Sequence, residues 1–343
     1  MDTTTLIYKT IFLFLILLVT LLVAMYSTYA ERKVAAFMQD RRGPNRAGPF
    51  GLLQPLADGL KMFMKEEIIP LSANKSLFIL GPTIAMTTAL LTGVVIPWGN
   101  TLNIGGREFS MQIADLNIGI LYVFAMVSIG VYGIMIGGWA SNNKYALLGS
   151  IRAASQMISY ELAMGLSIIA LVLTTGSLSL HEIVTQQQGM HWNVFRQPLG
   201  FLIFLICAFA ETNRAPFDLP ECETELIGGY HTEYSSMKLG FYLFAEYVNM
   251  FISSAVIATV YFGGFNMPFI NNLGLSHNVV TLLGTGFFFL KIFFMIFLFM
   301  WIRWTLPRFR YDQLMNLGWK GLIPIAILNI LGTGVYYYLT ELI

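Results

Sequence analysis

The chain has 343 residues, of which 56% are hydrophobic and only 11% charged, with a formal net charge of +1. A soluble domain carries roughly twice that charged fraction, so the long uncharged runs describe a polytopic membrane protein. Near-neutral charge without a basic run gives nucleic acid no footing, and two cysteines, Cys207 and Cys222, are too few for a disulfide framework, a zinc site or an iron–sulfur cluster.

Hydropathy places eight spans at about 7–30, 77–98, 117–139, 146–174, 197–212, 237–262, 284–305 and 320–340, against the ~20 residues that cross a ~30 Å core. The expected fold is all-α and polytopic, one membrane domain over 1–343. The first run leads into ERK without a small-residue cleavage signature and reads as a retained span. The fifth is the shortest, with an uninterrupted apolar part only from Leu199 to Ala210. Length alone fits a buried or re-entrant segment equally well, so charge decides. With eight spans and both termini outside, basic residues gather on the cytoplasmic side, from Arg32, Arg41, Arg42 and Arg46 to Arg303, Arg308, Arg310 and Lys320. Lys9, Arg107 and Arg196 fall outside, and Lys291, toward the outer end of its span, is expected to snorkel. Dropping the fifth span would send Arg303, Arg308, Arg310 and Lys320 outside, against the positive-inside rule.

The first cytoplasmic loop is the most structured connector. GPNRAGP supplies a tight turn, and Leu52, Leu53, Leu56, Leu60, Phe63 and Met64 then recur at helical spacing opposite Gln54, Asp58, Lys61 and Lys65. This predicts an amphipathic surface helix at about 50–66, too short to cross. It is either a surface-lying connector or the wall where an apolar ligand enters from the lipid. The outer loops read as turns. The last inner loop mixes basic and aromatic residues, as a headgroup anchor or as a docking surface for a soluble partner.

The candidate chemistry is carboxylate chemistry. Glu161 lies about fourteen residues into the fourth span, ~21 Å by helical rise. Glu246 lies inside the sixth span with Asn249 and Ser253 on its face, a stripe suited to carrying protons. A structural ion pair is the alternative, but no cation lies at a matching depth. Between the fifth and sixth spans, over about 211–236, an acidic loop holds Glu211, Asp218, Glu221, Glu223, Glu225 and Glu233. Asp218-Leu-Pro-Glu221 has the form of a helix-capping box. Whether helical or extended, the segment crowds like charges, and crowding raises carboxylate pKa values toward neutrality. Arg214 could pin one acid in its charged form, and a solvated acidic loop is the plainer alternative. No dinucleotide fingerprint, Walker sequence, HExxH or Ser-His-Asp set occurs, and His181, His191, His231 and His277 fall in loops without ligand spacing. By its own residues the chain holds no electron carrier, so redox chemistry must come from partners.

Four segments together carry a resemblance: ERKVAAFMQDRRGPNRAGPFGLLQPLADGLKMFMKEE, ASNNKYALLGSIRAASQMISYEL, AETNRAPFDLPECETELIGGYHTEYSSMK and RWTLPRFRYDQLM. In this order, from about Glu31 to Met315, the chain resembles the quinone-site membrane subunits of respiratory complex I, the bacterial NADH:quinone oxidoreductase. Related subunits occur in membrane-bound hydrogenases and photosynthetic NDH complexes, and a stand-alone proton or cation carrier is a further alternative. The resemblance implies a proton-pumping translocase of the bacterial inner membrane. Soluble iron–sulfur subunits would sit at its cytoplasmic face and antiporter-like subunits beside it in the bilayer. FMN and iron–sulfur clusters would belong to partners, with quinone as substrate and no cofactor bound by this chain alone. It implies that Arg32, Arg41, Asp58, Phe63 and Arg303 line the quinone cavity. It further implies a proton path through Glu161, Glu211, Glu221, Glu223, Glu225, Glu233 and Glu246, with Arg214 and Asp218 in the same motifs. One departure stands out. Some relatives carry a carboxylate in the third span where this chain has none, and Ser128 is the candidate for that place.

Overall fold

Long apolar runs can hide their backbone from lipid only by closing every hydrogen bond within the run, which makes them helices. The computed structural model describes residues 3–218, 227–268, 270 and 275–341. Among these, seven helices are long and apolar enough to cross a membrane. They are α1 (Thr3–Met38), α3 (Lys75–Thr92), α4 (Gly119–Ala140), α5 (Lys144–Thr175), α8 (Ser236–Tyr261), α9 (His277–Thr305) and the run Tyr311–Thr340. That last run comprises α10 (Tyr311–Asn316), a π-helical stretch at Leu317–Leu322 and α11 (Ile323–Glu341). Shorter helices are α2 (Gln54–Met64), α6 (Leu180–Gln186) and α7 (Pro198–Glu211), with a single turn at Asn193–Arg196.

The helix ends follow local chemistry. Asn74 and Asn143 cap α3 and α5, accepting from the Leu77 and Tyr145 amides at 3.4 and 2.9 Å. Gly176, at φ 67°, closes α5 in the left-handed conformation. Pro97 holds Ile96 extended, so α3 stops short of the expected residue 98.

Two expectations are corrected. The fold is not purely helical: β1 (Thr101–Ile104) and β2 (Arg107–Ser110) form an antiparallel hairpin in the loop after α3. Gly105 and Gly106, both at positive φ, make its two-residue turn, the conformation that matches strand twist. Helix α1 continues through ERKVAAFM to Met38, because Glu31, Ala35 and Ala36 on its far turns are buried against the bundle. The predicted fifth span is the helix α7, which at 14 residues is shorter than the seven long apolar helices.

A close backbone contact joins α3 to α4. A Cβ built on Gly133 would stand 2.9 Å from both the Ala85 amide nitrogen and the Gly81 carbonyl oxygen. Small residues let these backbones touch, as in membrane helix pairs generally. Adding a methyl must move backbone, and overpacking of this kind costs about 1–3 kcal/mol. Gly133→Ala is therefore expected to lower the thermal midpoint of the purified assembly by several degrees. Gly165→Ala, where a Cβ meets nothing within 4 Å, leaves it unchanged or slightly higher in the same scan.

Candidate functional site

Helices α3, α4, α5, α7 and α8 line an elongated cavity. Its lining along α8 runs from Tyr242 to Val260, ~27 Å by helical rise. The two ends differ in chemistry. Toward Tyr242 the wall is polar, with Glu211, Thr212, Asn213, Tyr230, Glu246, Asn249 and Ser253. Toward Val260 it is apolar, with Ile120, Val123, Ile168, Leu180 and Val256, relieved by Thr88 and Thr92. Glu246, Asn249 and Ser253 thus share one wall, as their spacing predicts.

Each acid has its own surroundings. Glu211 ends α7 and is buried, and its Oε2 has no hydrogen-bond partner among the described residues. The chain beside it is pinned by Gln156, whose Nε2 donates to the Ala210 and Phe217 carbonyls at 3.0 and 2.8 Å. Glu246 accepts from the Tyr230 hydroxyl at 3.2 Å. Half-buried Glu161 accepts from the Ser128 hydroxyl, so Ser128 does stand against an acid of the neighbouring helix. Glu233 lies outside the cavity and accepts from Asn143 Nδ2 at 2.6 Å. Asp218 pairs with Arg308 at 3.0 Å. Glu221, Glu223 and Glu225, with the predicted capping box, lie outside the described residues.

Arg214 pairs with an acid outside its own loop, Glu31 of α1. Glu31 is buried and takes Arg214 Nη1 at 3.1 Å, the Tyr247 hydroxyl at 2.9 Å and Arg303. The Arg214 guanidinium also stacks 3.9 Å over the Tyr247 ring, while its Nε and Nη2 find no partner among the described residues. Burial works to lower the Arg214 pKa, but Tyr247, Glu31 and Glu246 outweigh it and hold the group above its ordinary value. A signal for Glu31 exists. Thr20, Ala24, Ser27, Glu31 and Ala35 form a buried stripe at steps of four, three, four and four that runs past the end of the apolar run.

The remaining candidates fall into two places. Arg32 pairs with Asp58 of α2 at 2.8 Å, and Gln54 supports Asp58 at 3.1 Å. On the opposite stripe of α2, Leu60, Phe63 and Met64 are exposed. Arg41 lies elsewhere, in a groove with Lys33, Phe37, Phe297 and Trp301. Arg303 belongs to the Glu31 cluster.

His231, in the turn before α8, sits between Tyr230 and Tyr242, and burial pushes its imidazole down to about 3, so it is neutral at physiological pH. Lys291 also departs from expectation. It does not snorkel but is buried, with its ammonium on three backbone carbonyls.

A family of NADH dehydrogenase proteins matches residues 11–334. The chain belongs to this family. It is 72% identical over 326 residues to an H-type subunit of the NADH-quinone oxidoreductase of Cytophaga hutchinsonii, covering 95% of each chain. It is 64% identical over 339 residues to the corresponding H-type chain of Flavobacterium psychrophilum, covering 98% of each, and 49% identical over 331 residues to that of Thermomicrobium roseum, covering 94% of each.

The Glu31 cluster generates a prediction. Removing one member of a buried ion pair costs about 3–5 kcal/mol because the partner is left uncompensated. Glu31→Gln strands two arginines and is expected to reduce assembly and lower the thermal midpoint markedly. Arg32→Gln, at a pair exposed on one side, changes the midpoint little in the same measurement.

Proposed function

We propose that this chain is the membrane subunit of a proton-pumping NADH:quinone oxidoreductase of the bacterial inner membrane. It guides quinone to the point of reduction and passes the electrostatic consequence to protonatable carboxylates. The observation that carries the reading is the cavity wall shared by Glu211 and Glu246. An acid inside an apolar bundle is costly and persists where it serves an ion path. Among the described residues, no arginine or lysine forms an ion pair with Glu211 or Glu161, and Glu211 Oε2 is left free to face the cavity. Such groups exchange protons more readily than an acid clamped by two guanidinium groups, as Glu31 is.

In this reading the chain crosses the membrane eight times with both termini outside, α7 making the short fifth crossing. Helix α2 lies on the membrane face with Leu60, Phe63 and Met64 in the lipid, which its uncovered apolar stripe supports. Quinone enters beside α1 and α2, past Arg32, Asp58 and Phe63, with Arg41 and Arg303 on the flanks. Reduction consumes two electrons and two protons per quinone. The electrons come from iron–sulfur clusters in soluble partner subunits, which FMN feeds from NADH, and this chain binds no cofactor alone. The acidic loop, with Asp218, Glu221, Glu223, Glu225 and Glu233, faces the cytoplasmic side. Arg214 feels both the Glu31 cluster and the field of Glu246. A change of charge at the quinone is therefore felt at the cavity acids, and Glu161 hands protons toward neighbouring antiporter-like subunits by way of Ser128.

Two variants of the assembled enzyme in proteoliposomes test this. Glu211→Gln, or Glu225→Gln in the loop, keeps quinone reduction measurable while a trapped pH dye reports fewer protons moved per NADH oxidised. Unchanged reduction together with unchanged pumping defeats the carboxylate assignment. Arg32→Ala raises the apparent KM for a short-chain quinone several-fold. An exposed ion pair contributes only about 0–1 kcal/mol to stability, so loss of assembly without a change in KM would reject the lining role.

A further inference from the structure

The Val260 end of the cavity is stoppered by a set of buried polar groups that the proton path does not use. Helix α8 ends at Tyr261, and the following loop turns its carbonyls inward toward α9. Lys291 Nζ donates to the carbonyl oxygens of Phe262, Gly264 and Asn266 at 2.7, 2.7 and 3.0 Å. All three ammonium protons are thereby used. The rings of Phe287 and Trp192 cover the charge at 4.5 and 5.1 Å. A cation at the C-terminal end of a helix also complements the negative end of its dipole.

Gln187, fully buried in the loop after α6, completes the stopper. The two protons of its Nε2 are shared among the carbonyls of Ile183, Thr259 and Val260 at 3.1, 3.1 and 3.2 Å, and its Oε1 accepts from the Asn193 and Gly263 amides at 3.0 Å each. Asn193 Nδ2 adds a bond to the Val260 carbonyl at 2.9 Å. Val260 therefore belongs to both structures. It lines the cavity, and its carbonyl is held by the stopper. Backbone carbonyls freed at the end of a helix inside a membrane must find donors, and where protein supplies none, water enters.

We infer that Lys291 is a positioning residue that seals the outer end of the cavity by occupying a carbonyl cage that water would otherwise fill. The inference rests on the reading of the cavity as a proton path whose Val260 end faces outward. A path that carries protons from the inner side needs a dry barrier at its other end, since a continuous file of water there would dissipate the gradient. The apolar wall of Ile168, Leu180 and Val256 supplies the dry stretch, and the lysine keeps the loop above it from becoming hydrated.

The test uses the assembled enzyme in proteoliposomes with a trapped pH dye and an imposed pH step, without NADH. Lys291→Met is expected to admit protons at least five-fold faster than the unmodified enzyme. Lys291→Arg, which keeps a charged head with several donors, stays within two-fold of it. With an uncoupler present, NADH:quinone turnover of Lys291→Met stays within two-fold, and amide exchange across 262–266 accelerates. Proton entry at the unmodified rate in Lys291→Met, or equal leaks in the Met and Arg variants, overturns the inference. If Lys291→Met fails to assemble, Gln187→Glu preserves shape while setting an acceptor against the Thr259 and Val260 carbonyls. A leak there supports the seal and its absence overturns it. Because the passive measurement needs no turnover, it separates the two ideas. A leak alongside unchanged pumping in Glu211→Gln leaves the seal standing and removes the carboxylate path, whereas the opposite pair of results does the reverse.

Discussion

A formal charge inside an apolar bundle must be paired, hydrogen-bonded or kept neutral, and the surroundings of Glu31 show how this chain meets that demand. One carboxylate gathers Arg214 from the loop after α7, Arg303 from the end of α9 and the Tyr247 hydroxyl from α8. Three segments far apart in sequence are thereby held against the end of α1. Lys291 meets the same demand at the other end of the bundle with carbonyl dipoles in place of a counter-ion. Both are closed arrangements, in which the charged head is spoken for. Glu161 and Glu211 are open ones, with a single serine hydroxyl on the first and a carboxyl oxygen without a partner among the described residues on the second. The two kinds of surroundings differ in their partners, not in depth along the bundle.

Packing divides the bundle in the same way. Protein interiors are close-packed, so a cavity beside a backbone contact as tight as that at Gly133 is a local decision of the sequence. Glycines bring α3 and α4 together around Gly81, Gly133 and Gly137, and the aromatic hydroxyls of Tyr234 and Tyr242 fill the space beside them. One turn earlier on α4, Gly130 faces Thr88, and both line the cavity. Polar side chains collect on that opening, and a polar wall with room for water is the condition under which buried water is stable.

Much of this is legible in the sequence. The spans, the amphipathic run of α2 and the shared face of Glu246, Asn249 and Ser253 all follow from periodicity, because one face per helix is a strong constraint. The asparagine caps and the Gly176 stop are local as well. What is illegible is pairing across distance. Nothing near Glu31 announces Arg214 or Arg303, and a glutamate following an apolar run reads as the end of a span until the small-residue stripe on its face is traced. Lys291 misleads for a similar reason. Snorkelling is the default for a lysine near a span end, and the carbonyls that hold it come from a loop some twenty-five residues earlier. The hairpin at β1 and β2 escapes detection because strands of four residues each leave little alternation to read.

The Ser128–Glu161 contact sharpens what the proposed path can do. A carboxylate at that place would store a proton and could sit charged between transfers. A hydroxyl can only donate and accept at once, with a pKa far outside the working range. On the proposed path, Ser128 therefore keeps the hydrogen-bonded chain continuous without adding a station, and Glu161 becomes the last group on this side able to hold charge. Transfer onward then depends on the field at one acid and not on the division of a proton between two. On that proposed path, electrostatic control sits toward the end of the bundle where Arg214 and Glu31 are paired.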